Sequence, residues 1–171
     1  VALKSAVGLF TDNLLVCESD IVNELAKSPL TVPYAENSLR AELCLVSLHT
    51  NNFDRLSSLV NEAQFFTEGG RFFYSTLIIR FSETMMEFSQ ANFERCVEIC
   101  DELDLYLESR EHESQLYFVI FTIRGMVEYV TGNLSSAVAY FAKSDHLISY
   151  IADPSILTWY YPLKLQLLTD S

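Results

Sequence analysis

The sequence predicts an all-α fold built from antiparallel helix pairs. Half of the 171 residues are hydrophobic and only 20% are charged, which separates the chain from disordered sequences. Helix breakers are few, with five Gly and four Pro, and this favours helices of about 15 residues over the many turns of an all-β chain. A short sequence motif also recurs at a regular interval, which indicates a structural repeat.

The recurring motif ends each time in Asn followed by a large apolar residue. Asn is a favoured helix N-cap because its side-chain oxygen accepts hydrogen bonds from free backbone N–H groups. Each Asn is therefore predicted to lie in the turn between two helices, and the second helix to begin just after it. The Asn residues are 39, 40 and 41 positions apart in the four copies, Thr11-Asp12-Asn13-Leu14, Thr50-Asn51-Asn52-Phe53, Gln90-Ala91-Asn92-Phe93 and Thr131-Gly132-Asn133-Leu134.

Mostly small side chains recur at two fixed offsets from these Asn residues. Offsets that step by four lie along one face of a helix, and small residues there let two helix backbones approach closely. We therefore expect the helices of each pair to cross at these positions. Eight residues before the Asn lie Ser5, Cys44, Thr84 and Gly125, and four residues after it lie Cys17, Leu56, Cys96 and Ala137.

The last unit, Gly125-x6-Gly132-Asn133-Leu134-x2-Ala137-x3-Phe141, resembles a tetratricopeptide (TPR) repeat, with its small residue, Gly-Asn turn, Ala and aromatic. The resemblance covers about residues 5 to 150 and implies a right-handed α-α superhelix, a TPR-like solenoid of about four helix pairs with a C-terminal capping helix. The period is similar to the longer, ~40-residue variant found in sensor domains of large bacterial transcription regulators. HEAT-like arrays have a similar repeat length and are an alternative.

The predicted elements follow in order along the chain. The helix pairs are 2–10 with 14–27, 36–49 with 53–67, 71–89 with 93–108, and 112–130 with 134–151, followed by a capping helix at 154–168. The corresponding repeats span about 1–28, 35–69, 71–109 and 111–151, separated by breaks at residues 28–33, 68–70 and 153–154 that contain Pro or Gly. We expect residues 1–171 to form a single repeat domain. Because the chain begins without Met inside a helical pattern, we also expect it to be excised from a longer protein.

The chain is strongly acidic, with a net charge of −12. This charge repels phosphate backbones, so direct nucleic-acid binding is not expected. An acidic stretch stands out, which is either a solvated helix face or a surface for a basic partner. It comprises Glu98, Asp101, Glu102, Asp104, Glu108, Glu111 and Glu113.

No segment reaches the roughly 18 consecutive apolar residues of a membrane span, and the most apolar stretch, residues 116–123, stops at Arg124. No basic segment followed by an apolar one opens the chain, so no secretion signal is predicted. We expect a cytoplasmic location.

The four cysteines show no paired CxxC spacing and lie far in sequence from the three histidines. Cys96 and Cys100 are i, i+4 neighbours on a predicted helix, yet two thiolates would need further ligands to hold a metal. Because free Cys behaves as a small hydrophobe, we expect all four to pack helices closely in a reducing compartment, with no metal and no cofactor.

The TPR resemblance implies a concave groove lined by the first helix of each pair. The groove would be mainly apolar, without the Lys, Arg and Asn that clamp a C-terminal carboxylate in chaperone adaptors, and it suits an amphipathic helix. The alternative is that neighbouring parts of the full protein, or the tight curvature of the array, already fill it. Arg40 and Arg80 share one repeat offset, and we expect them to pair with local acids such as Glu36 and Glu83. The predicted groove positions are Ser38, Ala41, Leu45, His49, Ile78, Phe81, Met85, Ser89, Val119, Thr122, Met126 and Val130.

No nucleophile-base pair, phosphate-binding loop or metal-ligand set is recognisable in the sequence, so we do not expect an enzyme. The sequence favours a protein-interaction scaffold, a signalling module of a larger regulator that docks a helix or a neighbouring domain. Two alternatives stay open. One is a small-molecule-sensing domain of a transcription regulator, and the other is self-association into a homodimer.

Overall fold

The computed structural model describes residues 14–26, 33–63, 73–108, 114–151 and 154–170. Every regular element in these ranges is helical, which confirms the predicted all-α class; the predicted helix 2–10 lies outside them. The elements are α1 (Leu14–Leu25), α2 (Pro33–His49), α3 (Phe53–Glu62), α4 (Phe73–Ser89), α5 (Phe93–Glu108), α6 (Ser114–Val130), α7 (Leu134–Asp145), a 3-10 turn (Ile148–Tyr150) and α8 (Pro154–Asp170).

Three of the predicted interhelical turns have the same backbone structure. The residue before the Asn is left-handed in each, with φ of 54° at Asn51, 60° at Ala91 and 89° at Gly132. The N–H of this residue donates to the carbonyl three residues back at 3.0–3.1 Å, and the N–H of the following Asn donates to the carbonyl five residues back at 2.8–2.9 Å. This is the Schellman ending of a helix, and it recurs at intervals of 40 and 41 residues.

The four helices that follow the recurring motif begin at the predicted residues, Leu14, Phe53, Phe93 and Leu134. The N-cap role is confirmed for Asn52, whose side chain accepts a hydrogen bond from the backbone N–H of Arg55 at 3.3 Å. Asn133 also occupies the N-cap position of its helix, but its side chain makes no capping hydrogen bond. The repeated backbone turn is therefore formed with or without the side-chain cap.

The chain divides into two compact units, Val1–Met86 and Glu87–Ser171, with the boundary inside α4. In the first unit α2 packs against both α1 and α3. In the second unit α6 packs against α5 and α7, and α8 packs against α6 and α7. A single domain over residues 1–171 stays a prediction.

Helices α6 and α7 pack closely together at Gly125. A Cβ atom at this position would lie 2.9 Å from two carbons of the Phe141 ring and 3.3 Å from the Cβ of Tyr140. Ala137, on the same helix as Phe141, is fully buried. The predicted crossing at small residues is therefore present in this pair.

Two helices end five or six residues before the predicted position. Helix α7 stops at Asp145 and not at residue 151, because the N–H of Leu147 donates to the carbonyl of Ser144 and tightens the chain into a 3-10 turn. Helix α3 stops at Glu62 and not at residue 67, because Ala63 has an extended backbone. Pro33 and Pro154 each occupy the first position of a helix, where the missing N–H breaks no hydrogen bond.

Candidate functional site

The twelve predicted groove positions lie on α2, α4 and α6, and most of them are not on the surface. Ser38 is half-buried, and three positions at the C-terminal ends of their helices, His49, Ser89 and Val130, are exposed. The other eight are buried: Ala41, Leu45, Ile78, Phe81, Met85, Val119, Thr122 and Met126.

The helices that carry these positions are buried around much of their circumference. Every residue from 41 to 48 of α2 and from 75 to 86 of α4 is buried. In α6 the hydroxyl of Thr122 donates to Oγ of Ser144 at 3.2 Å, so its polar group is satisfied inside the second unit. A partner can reach the eight buried side chains only by displacing what covers them. Their burial favours the alternative in which the predicted groove is already filled.

Arg40 and Arg80 pair with local acids, as predicted. Arg40 donates to Glu36 at 2.9 Å and to Glu62 at 2.7 Å. Burial lowers the pKa of the Arg40 guanidinium, but these two hydrogen bonds outweigh burial and the net pKa is raised. Arg80 donates to Glu83 at 2.7 Å, and both side chains are only 8% exposed. Both cations therefore serve the fold and are not placed to receive a phosphate or a carboxylate.

Helix α5 has one buried and one exposed side, and it has more apolar residues than the buried side holds. The buried side contains Cys96, Ile99, Cys100, Leu103 and Leu107, at spacings of three and four residues. The residues between them point outward, and two of these are aliphatic: Val97 is 36% exposed and Leu105 is 67% exposed. We call this exposed side the outer face of α5 and define it as Glu94, Val97, Glu98, Asp101 and Leu105.

Two arginines hold two carboxylates of this face, Glu98 and Asp101, in place. Arg95 donates to Glu98 at 3.1 Å and to Glu102 at 2.9 Å. Arg124, on α6, donates to Asp101 at 2.7 Å and to Asp104 at 2.6 Å. Glu98 and Asp101 nevertheless keep 65% and 62% of their side chains exposed. Since each arginine also has a second acid, both exposed carboxylates can accept a further donor without leaving a cation unpaired.

A hollow of about 460 Å³ adjoins the N-terminal end of the outer face. It shares Glu94 and Glu98 with that face, so the two features form one continuous surface. The half-buried ring of Phe93 packs 5.5 Å from the ring of Phe88, centroid to centroid. The residues that line the hollow are Ala91, Asn92, Phe93, Glu94, Arg95 and Glu98.

All four cysteines are free and buried. Burial raises the pKa of Cys44 and Cys100 to about 12 and that of Cys96 to about 11. The Cys100 thiol faces the carbonyl of Ile120 at 3.9 Å, inside the contact between α5 and α6. Among the described residues, no three His, Cys, Asp or Glu side chains are grouped to hold a metal ion.

The C-terminal helix packs the aromatic side chain of Tyr160 against α6 and α7. Tyr160 is fully buried, with its ring 5.0 Å from that of Phe118 and 5.6 Å from that of Phe141. Its hydroxyl donates to Asp145 at 2.6 Å. Three other apolar residues of α8 remain exposed: Tyr161, Leu165 and Leu168.

The outer face of α5 was not predicted from the sequence as a site, although two of its acids, Glu98 and Asp101, belong to the acidic stretch identified there. Comparison of the chain with protein-family models, with curated proteins and with solved structures found no match. No helix within the described ranges is long and apolar enough to cross a membrane.

Proposed function

We propose that this chain is a protein-interaction scaffold that binds a helix of another protein or domain on the outer face of α5. The observation that carries the proposal is the pairing of exposed Val97 and Leu105 with carboxylates on one side of a helix whose other side forms core. A single exposed aliphatic residue is ordinary, but two on one face beside a hollow mark an interaction surface.

The proposed architecture is a TPR-like solenoid of about 40-residue helix pairs. Its support is the left-handed turn residue that recurs at Asn51, Ala91 and Gly132, together with the close crossing at Gly125. Helical-repeat proteins present extended surfaces to partners and seldom enclose reactants, which agrees with an interaction role. The setting as a signalling module of a larger bacterial regulator rests on the TPR resemblance, and the cytoplasmic location stays an expectation from the sequence.

A small-molecule sensor is a less well supported hypothesis than the interaction scaffold. Such a sensor would need several polar donors in an open groove. Of the twelve predicted groove positions, eight are buried and seven of those eight are apolar. The outer face of α5, in contrast, is open and suits a partner of extended shape.

A capture experiment tests the proposal. The immobilised chain is compared with Val97→Ser/Leu105→Ser, which removes the aliphatic pair, and with Leu134→Ser/Val138→Ser, which removes an exposed aliphatic pair on α7. Circular dichroism first verifies that all three proteins are folded. We expect a protein captured by wild type and by the α7 control but lost from the α5 variant. Equal capture by all three would place the site elsewhere, and no capture by wild type would contradict an interaction role.

A further inference from the structure

We infer that the segment bound by the outer face of α5 is a basic amphipathic helix from a different protein or domain, with two aliphatic side chains about two turns apart. The inference rests on the proposed function and specifies the chemistry of its partner. It follows from the charge balance of the chain, the spacing of the exposed residues and the adjoining hollow.

In the described part of the chain, the cations are used internally. Of the seven described basic residues, six form ion pairs with carboxylates of the chain. The seventh, Lys143, lies over the rings of Phe121 and Tyr140, 5.3 and 5.2 Å from their centroids. With a net charge of −12, the chain therefore has a surplus of acid on its surface. A second copy of this chain carries the same surplus of acid and would be repelled. The surplus therefore favours a different, basic partner.

The spacing on the outer face matches a helix laid along it. Val97 and Leu105 are eight residues apart on α5, about 12 Å along the helix axis. A partner helix places aliphatic residues at the same distance when they are seven or eight positions apart. Glu98 and Asp101 lie between the two aliphatic positions in the sequence, so Lys or Arg side chains of the partner can reach them from either side.

Apolar and charged contacts act together on this surface. Exposed ion pairs are individually weak, so contact with Val97 and Leu105 must supply much of the affinity. The carboxylates then determine which helices bind, because an acidic partner is repelled. Lys and Arg suit this role because their aliphatic stems cover apolar surface while their charged ends reach the carboxylates. The hollow beside Phe93 gives room for one further side chain at the N-terminal end of the face.

Fluorescence anisotropy with synthetic peptides tests the inference. The probe is a labelled helical peptide of about 20 residues with Leu at positions i and i+7 and Lys beside them. Three controls share its Leu content: one with Gln for Lys, one with Glu for Lys, and one with the same composition but Leu scattered around the helix. We expect the Lys peptide to bind about tenfold more tightly than each control, and its affinity to fall about tenfold between low and high salt.

Variants of the chain locate the binding. Leu105→Ser should weaken binding of the Lys peptide about tenfold, whereas Leu165→Ser, which removes a comparably exposed Leu of α8, should leave it unchanged. Glu98→Gln/Asp101→Asn should weaken binding and flatten its salt dependence, while Arg95 and Arg124 keep Glu102 and Asp104 as partners.

Each of the other possible outcomes would overturn one specific part of the inference. Equal affinity of the Gln and Lys peptides overturns the basic partner while leaving an interaction scaffold intact. Equal effects of Leu105→Ser and Leu165→Ser overturn the location on α5. If no peptide binds although the capture experiment yields a partner that depends on Val97 and Leu105, the amphipathic-helix inference fails and the proposed function stands.

Discussion

Gly125 and Phe141 are in contact so close that a Cβ atom on Gly125 would lie 2.9 Å from the Phe141 ring. A larger side chain must push the two helices apart or force the buried ring out of place, and over-packing of this kind costs about 1–3 kcal/mol. We expect Gly125→Leu to lower the free energy of unfolding by that amount. Urea denaturation followed by circular dichroism measures the change.

A compensating substitution distinguishes this contact from a general loss of helix packing. Phe141→Leu removes the ring that Gly125 meets, so it should relieve part of the cost of a side chain at position 125. The double variant Gly125→Ala/Phe141→Leu should therefore be more stable than the sum of its two single variants predicts. An unchanged stability of Gly125→Leu would contradict the helix register.

The repeat predicted the starts of helices better than their ends, for a local reason. The recurring motif at Asn52, Asn92 and Asn133 specifies a backbone turn within a few residues. The next helix begins immediately after it in each case. The ends of α3 and α7 depend on contacts that no short pattern contains. At the end of α7, for example, Tyr160 and Lys164 of α8 both bind Asp145 from more than a dozen residues away.

The candidate site was harder to predict because repeat offsets show which side of a helix a residue faces but not what covers that side. Ile78 and Phe81 have the offsets of groove positions and are buried. Val97 and Leu105 look like core residues in the sequence and are exposed, because Cys96, Ile99 and Cys100 already occupy the inner side of α5. The signal available in the sequence was an excess of apolar residues over what one face of that helix can bury.

Ala91→Gly should stabilise the chain. Ala91 has a φ of 60°, a left-handed conformation that costs an ordinary residue about 1–2 kcal/mol and costs Gly little. Gly also makes the unfolded chain more flexible, which offsets part of the gain, so we expect a net increase of about 0.5–1 kcal/mol in the free energy of unfolding. Ala142→Gly, an exposed site inside α7, is the control and should instead lower it by about 1 kcal/mol. A loss of stability at both sites would contradict the left-handed turn.

Arg80→Met should be strongly destabilising, because it removes the ion pair that Arg80 makes with the buried Glu83 carboxylate. Loss of one member of a buried pair costs about 3–5 kcal/mol. Arg95→Met removes an arginine that is 35% exposed and should cost less than about 1 kcal/mol. The double variant Arg80→Met/Glu83→Leu should recover much of the lost stability in thermal or urea denaturation. Equal losses for Arg80→Met and Arg95→Met would show that the pair at Arg80 is not shielded from water.

Stability should fall above pH 9 because of the buried thiols. Burial raises the pKa of Cys44 and Cys100 from 9.0 to about 12 in the folded chain. Between these values the unfolded thiols lose their protons while the folded thiols keep them, so the folded state binds more protons and the free energy of unfolding decreases as the pH rises. Each thiol contributes a slope of up to about 1.4 kcal/mol per pH unit in this window and essentially none below it. Urea denaturation at several pH values should therefore give a steeper decline for wild type than for Cys44→Ala/Cys100→Ala, in which other groups still titrate. Parallel declines would mean that these two thiols reach solvent in the folded protein.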